Sequence, residues 1–319
     1  MEIRFLGTAS AIPSKNRNHT SIAVKAFGEI FLFDCGESTQ RQLNYTNISP
    51  MKISKIFISH LHGDHILGLP GLIQSMGFRG REKPLTIYGP KGLLKIKDCI
   101  FNNGFNPVNF EVNIVEIQEG TVFETDDYIV KTAKTEHNLL NYSYTIEEKK
   151  KPRFIREKAI ALGVKVGPDF GKLHSGQTVE VDGKTIYPED VLGPARDGKK
   201  LCYSGDSKPC EAMIQLAKNS TLLIHEATFL EEDIDKAYEN GHSTAIQAAS
   251  IGRDASVENL ILTHFSNRYT NLKPFKIEAS EVFENVEIAY DFMNVEIVKD
   301  EKAKGEDKYR LLISKNFIE

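Results

Sequence analysis

"SHLHGDHILGLPG", residues 59–71, places three histidines and an aspartate within six positions, between an apolar run and a glycine-rich turn. In an extended chain residues two apart share a face, so His60 and His62 point together, whereas Asp64 and His65, past Gly63, turn elsewhere. One short cluster thereby offers ligands to two metal positions. The run before it, "ISKIFISH" (53–60), is rich in β-branched and aromatic residues and reads as a strand that delivers His60 at its carboxyl edge, just ahead of a helix. Open α/β sheets carry their sites at that edge.

Three further segments end in the same way: His137 closes "VKTAKTEH", Asp206 closes "LCYSGD" and His264 closes "LILTH". A lone histidine at a strand end is ordinarily structural; the repetition is what points to metal. Imidazole and carboxylate without thiolate suit zinc, with manganese or iron as alternatives. Seven ligands exceed one tetrahedral ion. They divide into His60, His62 and His137 for one ion and Asp64, His65 and His264 for the other, with Asp206 free to bridge. Two ions at roughly 3.5–4 Å can share a hydroxide of near-neutral pKa and steady a phosphoryl or acyl centre.

The remainder of the 319 residues, 40% hydrophobic and 26% charged, has an ordinary globular composition sufficient for one large or two medium domains. No apolar run approaches the roughly 18 residues of a membrane span, and "MEIRFLGTAS" lacks a signal-peptide pattern, so a cytoplasmic protein is expected. Cys35, Cys99, Cys202 and Cys210 form no CxxC pair, which argues against a zinc ribbon and fits reduced thiols. Strands such as "EIRFLG", "SIAVKA", "EIFLFDCG", "PLTIYG" and "STLLIHEAT" alternate with helices. Those helices are expected after Gly36 with Ser38 as cap, in "GLIQSMGF", near residues 90–101, and in "CEAMIQLAKN" and "STAIQAASIGR". Between Glu147 and Gly198 the alternation fails, which reads as an arm inserted into a single domain. The net charge of −4 hides a basic stretch from Lys149 to Lys172, with eight Lys or Arg against Glu157 and Asp169. That local field suits either a solvated loop or a polyanion site. After Asp300 a charged turn leads into a short strand.

HxHxDH with distant His137, Asp206 and His264 resembles the metallo-β-lactamase superfamily. The resemblance implies an α/β fold, a four-layer αββα sandwich over residues 1–319, with a flexible protruding arm at about 148–197. Asp34 in "LFDCGEST" matches the superfamily's aspartate that orients a ligand histidine by hydrogen bonding; its plainer reading is a helix cap. Fold alone does not choose among lactamases, thioesterases, phosphodiesterases and nucleases. "IHEATF" (224–229) and "GHSTAIQAA" (241–249), however, resemble the paired HEAT and HST motifs of the tRNase Z family. "SGDSKPC" (204–210) and "LTHFSNRY" (262–269) follow that family's wording, and "PSKNRN" (13–18) fits its PxKxRN loop. The match extends to about residue 293 and departs at Phe292, where glycine is expected, and in a longer tail.

This resemblance implies a zinc-dependent endoribonuclease that removes the 3′ trailer from precursor tRNA after the discriminator nucleotide. Two Zn2+ per subunit and a bridging hydroxide would leave a 3′-hydroxyl on the tRNA and a 5′-phosphate on the trailer. Histidine, whose unperturbed pKa is roughly 6.5, is the natural proton donor to the leaving oxygen, and His242 is available because no metal is assigned to it. Glu226 would hold its imidazole, and Asp64 would serve as base as well as ligand. His225 should face away from Glu226. Lys15, Arg17 and Asn18 would meet the RNA 3′ end. "VGPDFGKLHSGQTVEV" resembles the family's exosite, in which Gly167, Pro168 and Lys172 would help grip the tRNA body by shape and charge. His174 there is expected to be an RNA or surface contact. By the same resemblance the enzyme is a homodimer, one subunit's arm presenting tRNA to the other's metals. Two rival readings are a hydrolase of a small thioester, lactam or phosphodiester, and a non-enzymatic RNA-binding protein with structural zinc. The first has no use for a basic arm, and the second would close its metal sites.

Overall fold

The computed structural model describes residues 1–97, 108–194, 196–300 and 308–315. Cys99, the end of the helix expected near residues 90–101, Ala195 and the charged turn after Asp300 lie outside those residues.

Strands whose apolar residues run almost unbroken must be covered on both faces, and this requirement sets the architecture. One sheet contains β1 (Glu2–Gly7), β2 (Ser21–Ala26), β3 (Glu29–Phe33), β4 (Ile53–Phe57), β5 (Leu85–Gly89) and β6 (Val112–Glu116), extended past β1 by β16 (Met293–Lys299) and β17 (Tyr309–Lys315). The other contains β7 (Gly120–Glu124), β8 (Tyr128–Thr135), β9 (Asn141–Lys150), β12 (Arg196–Tyr203), β13 (Leu222–Glu226), β14 (Leu260–Thr263) and β15 (Val286–Ile288). Phe31, Phe33 and Phe57 from the first sheet pack with Tyr144, Tyr203 and Ile224 from the second, filling the space between them. The alternate residues Leu32 and Ile56 face outward onto the helix Leu69–Phe78. Leu223 and Leu262 do the same against the helices Ala245–Asp254 and Lys273–Ser280. The result is the αββα sandwich. In each half a parallel set, β3 to β6 and β12 to β15, brings its carboxyl ends to one rim.

Local expectations fared unevenly. Ser38 stands before the helix Thr39–Leu43 but lies in the left-handed region (φ 64) and makes no side-chain cap; Thr39 Oγ1 donates to Gly36 O instead, at 2.7 Å. Phe292 also has a left-handed backbone (φ 69), which explains why glycine is at home at this position. Its N–H donates to Phe5 O at 2.7 Å and its ring packs on Tyr45, contacts that hold the strained conformation. The described part of the helix expected near 90–101 is a 3-10 turn, Leu93–Ile96.

The stretch without periodicity is not structureless. It leaves β9 at Lys150 and rejoins β12 at Arg196, and these two residues are cross-strand partners. In between lie the helices Arg156–Ala161, Pro168–His174 and Pro188–Val191 and a hairpin, β10 (Val179–Val181) and β11 (Lys184–Ile186). They close on Ala159, Val164, Leu173, Val179, Ile186 and Val191, apart from the main core. Elements of three to seven residues are too short to show a hydrophobic period.

Candidate metal centre

The rim where the parallel strands end collects the candidate ligands. His60 follows β4, His137 follows β8, Asp206 follows β12 and His264 follows β14, while Asp64 and His65 lie on the one-turn helix Gly63–Ile66. The ligand atoms of His60, His62, His137 and Asp206 lie within 4.8 Å of one another, as do those of Asp64, His65 and His264. Asp206 joins the groups: Oδ2 is 3.6 Å from His60 Nε2 and 3.3 Å from His65 Nε2, and Oδ1 is 3.3 Å from His264 Nε2.

Hydrogen bonds outside the cluster select the protonation of its rings. His137 Nδ1 donates to Gly241 O at 2.7 Å, and His65 Nδ1 to Asp34 Oδ2 at 2.8 Å. His264 Nδ1 meets Thr228 Oγ1 at 3.0 Å and His60 Nδ1 meets Ser59 Oγ at 3.0 Å. A ring that donates outward through Nδ1 turns a bare Nε2 inward, which is the metal-binding tautomer. The inward atoms meet one another: His62 Nδ1 is 2.9 Å from His60 Nε2 and 3.2 Å from His137 Nε2. His65 Nε2 and His264 Nε2 sit 3.2 Å apart, and Asp206 Oδ1 is buried without a hydrogen bond. Imidazole nitrogens and carboxylate oxygens converging at these distances fit a divalent ion of the zinc class. Burial, followed by the neighbouring His65, pushes the His60 pKa well down, so its ring is neutral. For Asp206 burial acts upward, but His264, His65 and His60 outweigh it and hold the carboxyl ionised.

Asp34 is fully buried and does not cap a helix. Its Oδ1 accepts Ser59 N–H at 2.7 Å; its Oδ2 accepts Ser59 Oγ (2.8 Å), Tyr203 OH (2.6 Å) and the His65 ring. Glu226, 1% exposed, stands one step outside the cluster. Its Oε1 accepts from His242 Nδ1 at 2.8 Å and from the backbone of Ser207 and Ser243, and its Oε2 accepts from Thr228 N and Oγ1. Burial alone would lower the His242 pKa, but the Glu226 carboxylate lifts it to about 9. The His242 ring lies 5.2 Å from His137 and 5.5 Å from His264. His225 is buried on the far side, its Nδ1 donating to the backbone carbonyl of Glu226.

The loop carrying "PSKNRN" is fastened to the centre, since Ala11 N–H donates to Asp64 Oδ2 at 2.8 Å. Lys15 is exposed. Arg17 is 8% exposed and its guanidinium donates to Ser266 O and Tyr269 O. Asn18 Nδ2 donates to Glu37 O, and its backbone N–H to the carboxylate of Asp291. In the arm Gly167 is extended with open space around it, Pro168 starts its helix, Lys172 pairs with Asp169 at 2.8 Å, and His174 Nε2 donates to Pro152 O. Ser59, Tyr203, Thr228, Gly241 and Asp291 escaped the sequence reading, because each acts through a bond to a residue remote in the chain.

Comparison with known proteins follows the same lines. A model described as a beta-lactamase superfamily domain matches residues 172–265, and one described as anti-Pycsar protein Apyc1 matches residues 1–151. The ribonuclease Z of Methanothermobacter thermautotrophicus is 57% identical over 297 residues, covering 93% of this chain and 97% of the relative. The chain belongs to the ribonuclease Z family. The ribonuclease Z of Bacillus licheniformis is 44% identical and is covered to 99%. Among solved structures the short form of human tRNase Z superposes with a TM-score of 0.68 at 27% identity, over 93% of this chain and 99% of that one. The Bacillus subtilis metallo-beta-lactamase fold protein YhfI, TM-score 0.66 at 20% identity, covers 92% of this chain and 98% of its own and supports the fold. As a member of the ribonuclease Z family the chain is an endoribonuclease.

Proposed function

We propose that this enzyme removes the 3′ trailer from precursor tRNA by hydrolysis after the discriminator nucleotide, leaving a 3′-hydroxyl on the tRNA and a 5′-phosphate on the trailer. The observation that carries this reading is the buried Glu226–His242 pair, joined at 2.8 Å beside the ligand cluster in a chain of this family. His60, His62 and His137 would hold one ion, Asp64, His65 and His264 a second, and Asp206 would bridge; the donor set favours zinc. When bound, the ions supply an activated water and charge stabilisation for the phosphoryl group. Glu226 keeps the proton on His242 Nδ1 and favours the doubly protonated ring, which leaves Nε2 to give a proton to the departing 3′ oxygen. Asp34 and Gly241 O hold the His65 and His137 rings so that neither turns away. Asp64, anchored by Ala11 N–H, would guide the attacking water as well as ligate.

The basic stretch from Lys149 to Lys172 supports a grip on the tRNA body, where phosphate and shape are the readable features. At the 3′ end, Lys15 is the loop's exposed cation, while Arg17 and Asn18 give the loop its shape. A homodimer in the cytoplasm completes the proposal. Exposed Ile12, Leu67 and Phe78 favour contact with a second copy, and among the described residues no helix is long and apolar enough to cross a membrane.

The test is incubation of the purified protein and zinc with a 3′-extended precursor tRNA, followed by mapping of both product ends. A single cut after the discriminator with the stated ends is expected. A 2′,3′-cyclic phosphate would mean that the RNA's own hydroxyl attacks, and cleavage confined to small activated diesters would return the rival hydrolase reading.

A further inference from the structure

A groove of about 580 Å³ opens beside the metal centre, and neither the ligand set nor the acid–base pair accounts for it. Its lining includes Lys134, Glu136, His137, Asn138, Leu139 and Lys208. The groove therefore begins at a ligand of the centre and runs outward from it. Its volume falls within the roughly 300–1,000 Å³ of small-ligand pockets, enough for one nucleotide.

Its chemistry is that of a single-strand nucleic-acid contact. Two lysines face one acid, Glu136, and neither ammonium has an ion pair among the described residues. Lys208 Nζ lies 4.1 Å from the centroid of the Tyr238 ring. Tyr238 is 71% exposed on the helix Ile234–Asn240, and Leu139 in the groove lining is 43% exposed. An aromatic ring held in solvent next to unpaired cations is how proteins stack bases and hold phosphates without reading sequence. The parts are also fixed relative to one another. Lys208 N–H donates to Glu136 O at 2.7 Å, and Asn138 Nδ2 reaches Glu239 O at 3.4 Å. Gly241, at φ 78, ends the Tyr238 helix so close to the centre that a Cβ there would lie 2.9 Å from His137 Nδ1.

Position decides which nucleotide. Ala11 N–H is bonded to Asp64, and Ser10 N–H to Phe265 O, next to His264, so the loop at residues 11–18 flanks the Asp64–His65–His264 half of the centre. The groove opens from the half formed by His60, His62 and His137. A phosphodiester held between the halves must continue in both directions. We infer that the groove of Lys134 and Lys208, with the Tyr238 ring against Lys208 at its margin, receives the first nucleotide of the trailer, its base on Tyr238 and its 3′ phosphate near the lysines. This inference rests on the reading that the loop takes the tRNA 3′ end.

The experiment compares Tyr238→Ala, Tyr238→Phe and Lys208→Ala with the wild type on two precursor tRNAs, one ordinary and one with an abasic first trailer nucleotide. On the ordinary precursor Tyr238→Ala should lower kcat/KM by about 5- to 150-fold, the range for loss of one base stack, and Tyr238→Phe should match the wild type. On the abasic precursor the wild type should already be slowed and Tyr238→Ala should cost little more. Lys208→Ala should slow both substrates, because a phosphate remains in each. Wild-type activity in Tyr238→Ala, or an equal loss on both precursors, would overturn the subsite. Failure of the wild type to cut either precursor would instead overturn the proposed function.

Discussion

Replacing Asp34 by Asn tests how the centre is held, and the structure fixes the expected result. Asp34 lies in the left-handed region at φ 55, which Asn tolerates as well as Asp, so the backbone gains no strain. The carboxylate accepts four hydrogen bonds, and an amide can keep an oxygen at only one of its two positions. Ser59 N–H cannot reverse its role, so the oxygen stays at the Oδ1 position and the NH2 faces Ser59 Oγ, Tyr203 OH and His65 Nδ1. Both hydroxyls can rotate to accept. His65 can accept only by moving its ring proton from Nδ1 to Nε2, the atom 3.3 Å from Asp206 Oδ2 and 3.2 Å from His264 Nε2. The substitution should therefore disarm a ligand without touching it. Loss of such a partner costs about 10–100-fold in metal affinity. Exchange of charge-assisted for neutral bonds should remove about 2–4 kcal/mol of stability. Zinc titration against a chromophoric chelator, denaturant unfolding and the ring nitrogen shifts of His65 would measure all three effects. Wild-type affinity with His65 still protonated at Nδ1 would refute the reasoning.

Three other outcomes are expected. His242→Ala and Glu226→Ala should each slow precursor cleavage by about 10²–10⁴-fold with full metal content, and the double variant should be little worse than either, since the residues act as a unit. Metal analysis beside single-turnover rates checks this, and a metal lost with His242 would place that residue among the ligands. Joining Lys150 to Arg196 through a short glycine–serine turn removes the arm between two cross-strand partners. Hydrolysis of a small activated diester should survive while tRNA binding weakens and its salt dependence flattens; equal loss on both substrates would make the arm part of the fold. Burial lifts the Asp291 pKa to about 7, against the bonds it accepts from Asn18 and Thr8. The native state then holds a proton that the unfolded chain releases above a pKa of about 4, so between those values stability falls as pH rises, by up to about 1.4 kcal/mol per unit. Urea unfolding at pH 5 and pH 8 should show the wild type losing ground to Asp291→Asn at the higher pH, and the opposite order would mean that the ionised carboxylate is the stabilised form.

The sequence by itself singled out the candidate ligands and most of the strands. Ligand identity is a property of side-chain type, and His60, His62, Asp64 and His65 are neighbours in the chain. The distant ligands were legible because each closes an apolar run, and apolar runs of that length form strands. The sandwich was implied by the resemblance of the HxHxDH motif to the metallo-β-lactamase superfamily, and the two covered sheets have it. What only the tertiary structure decided was everything set by bonds between remote residues. The His137 ring is oriented by Gly241 O, 104 positions away, and Asp34 is held by Tyr203 at 169. Arg17 reads as an RNA contact from its motif, and the carbonyls of Ser266 and Tyr269 hold its guanidinium. The helices and hairpin within the inserted stretch were not legible because each is shorter than the window in which a period can be seen. In both cases the deciding partner was a backbone carbonyl or a small apolar cluster, features that every stretch of sequence possesses and that only folding brings to a particular place.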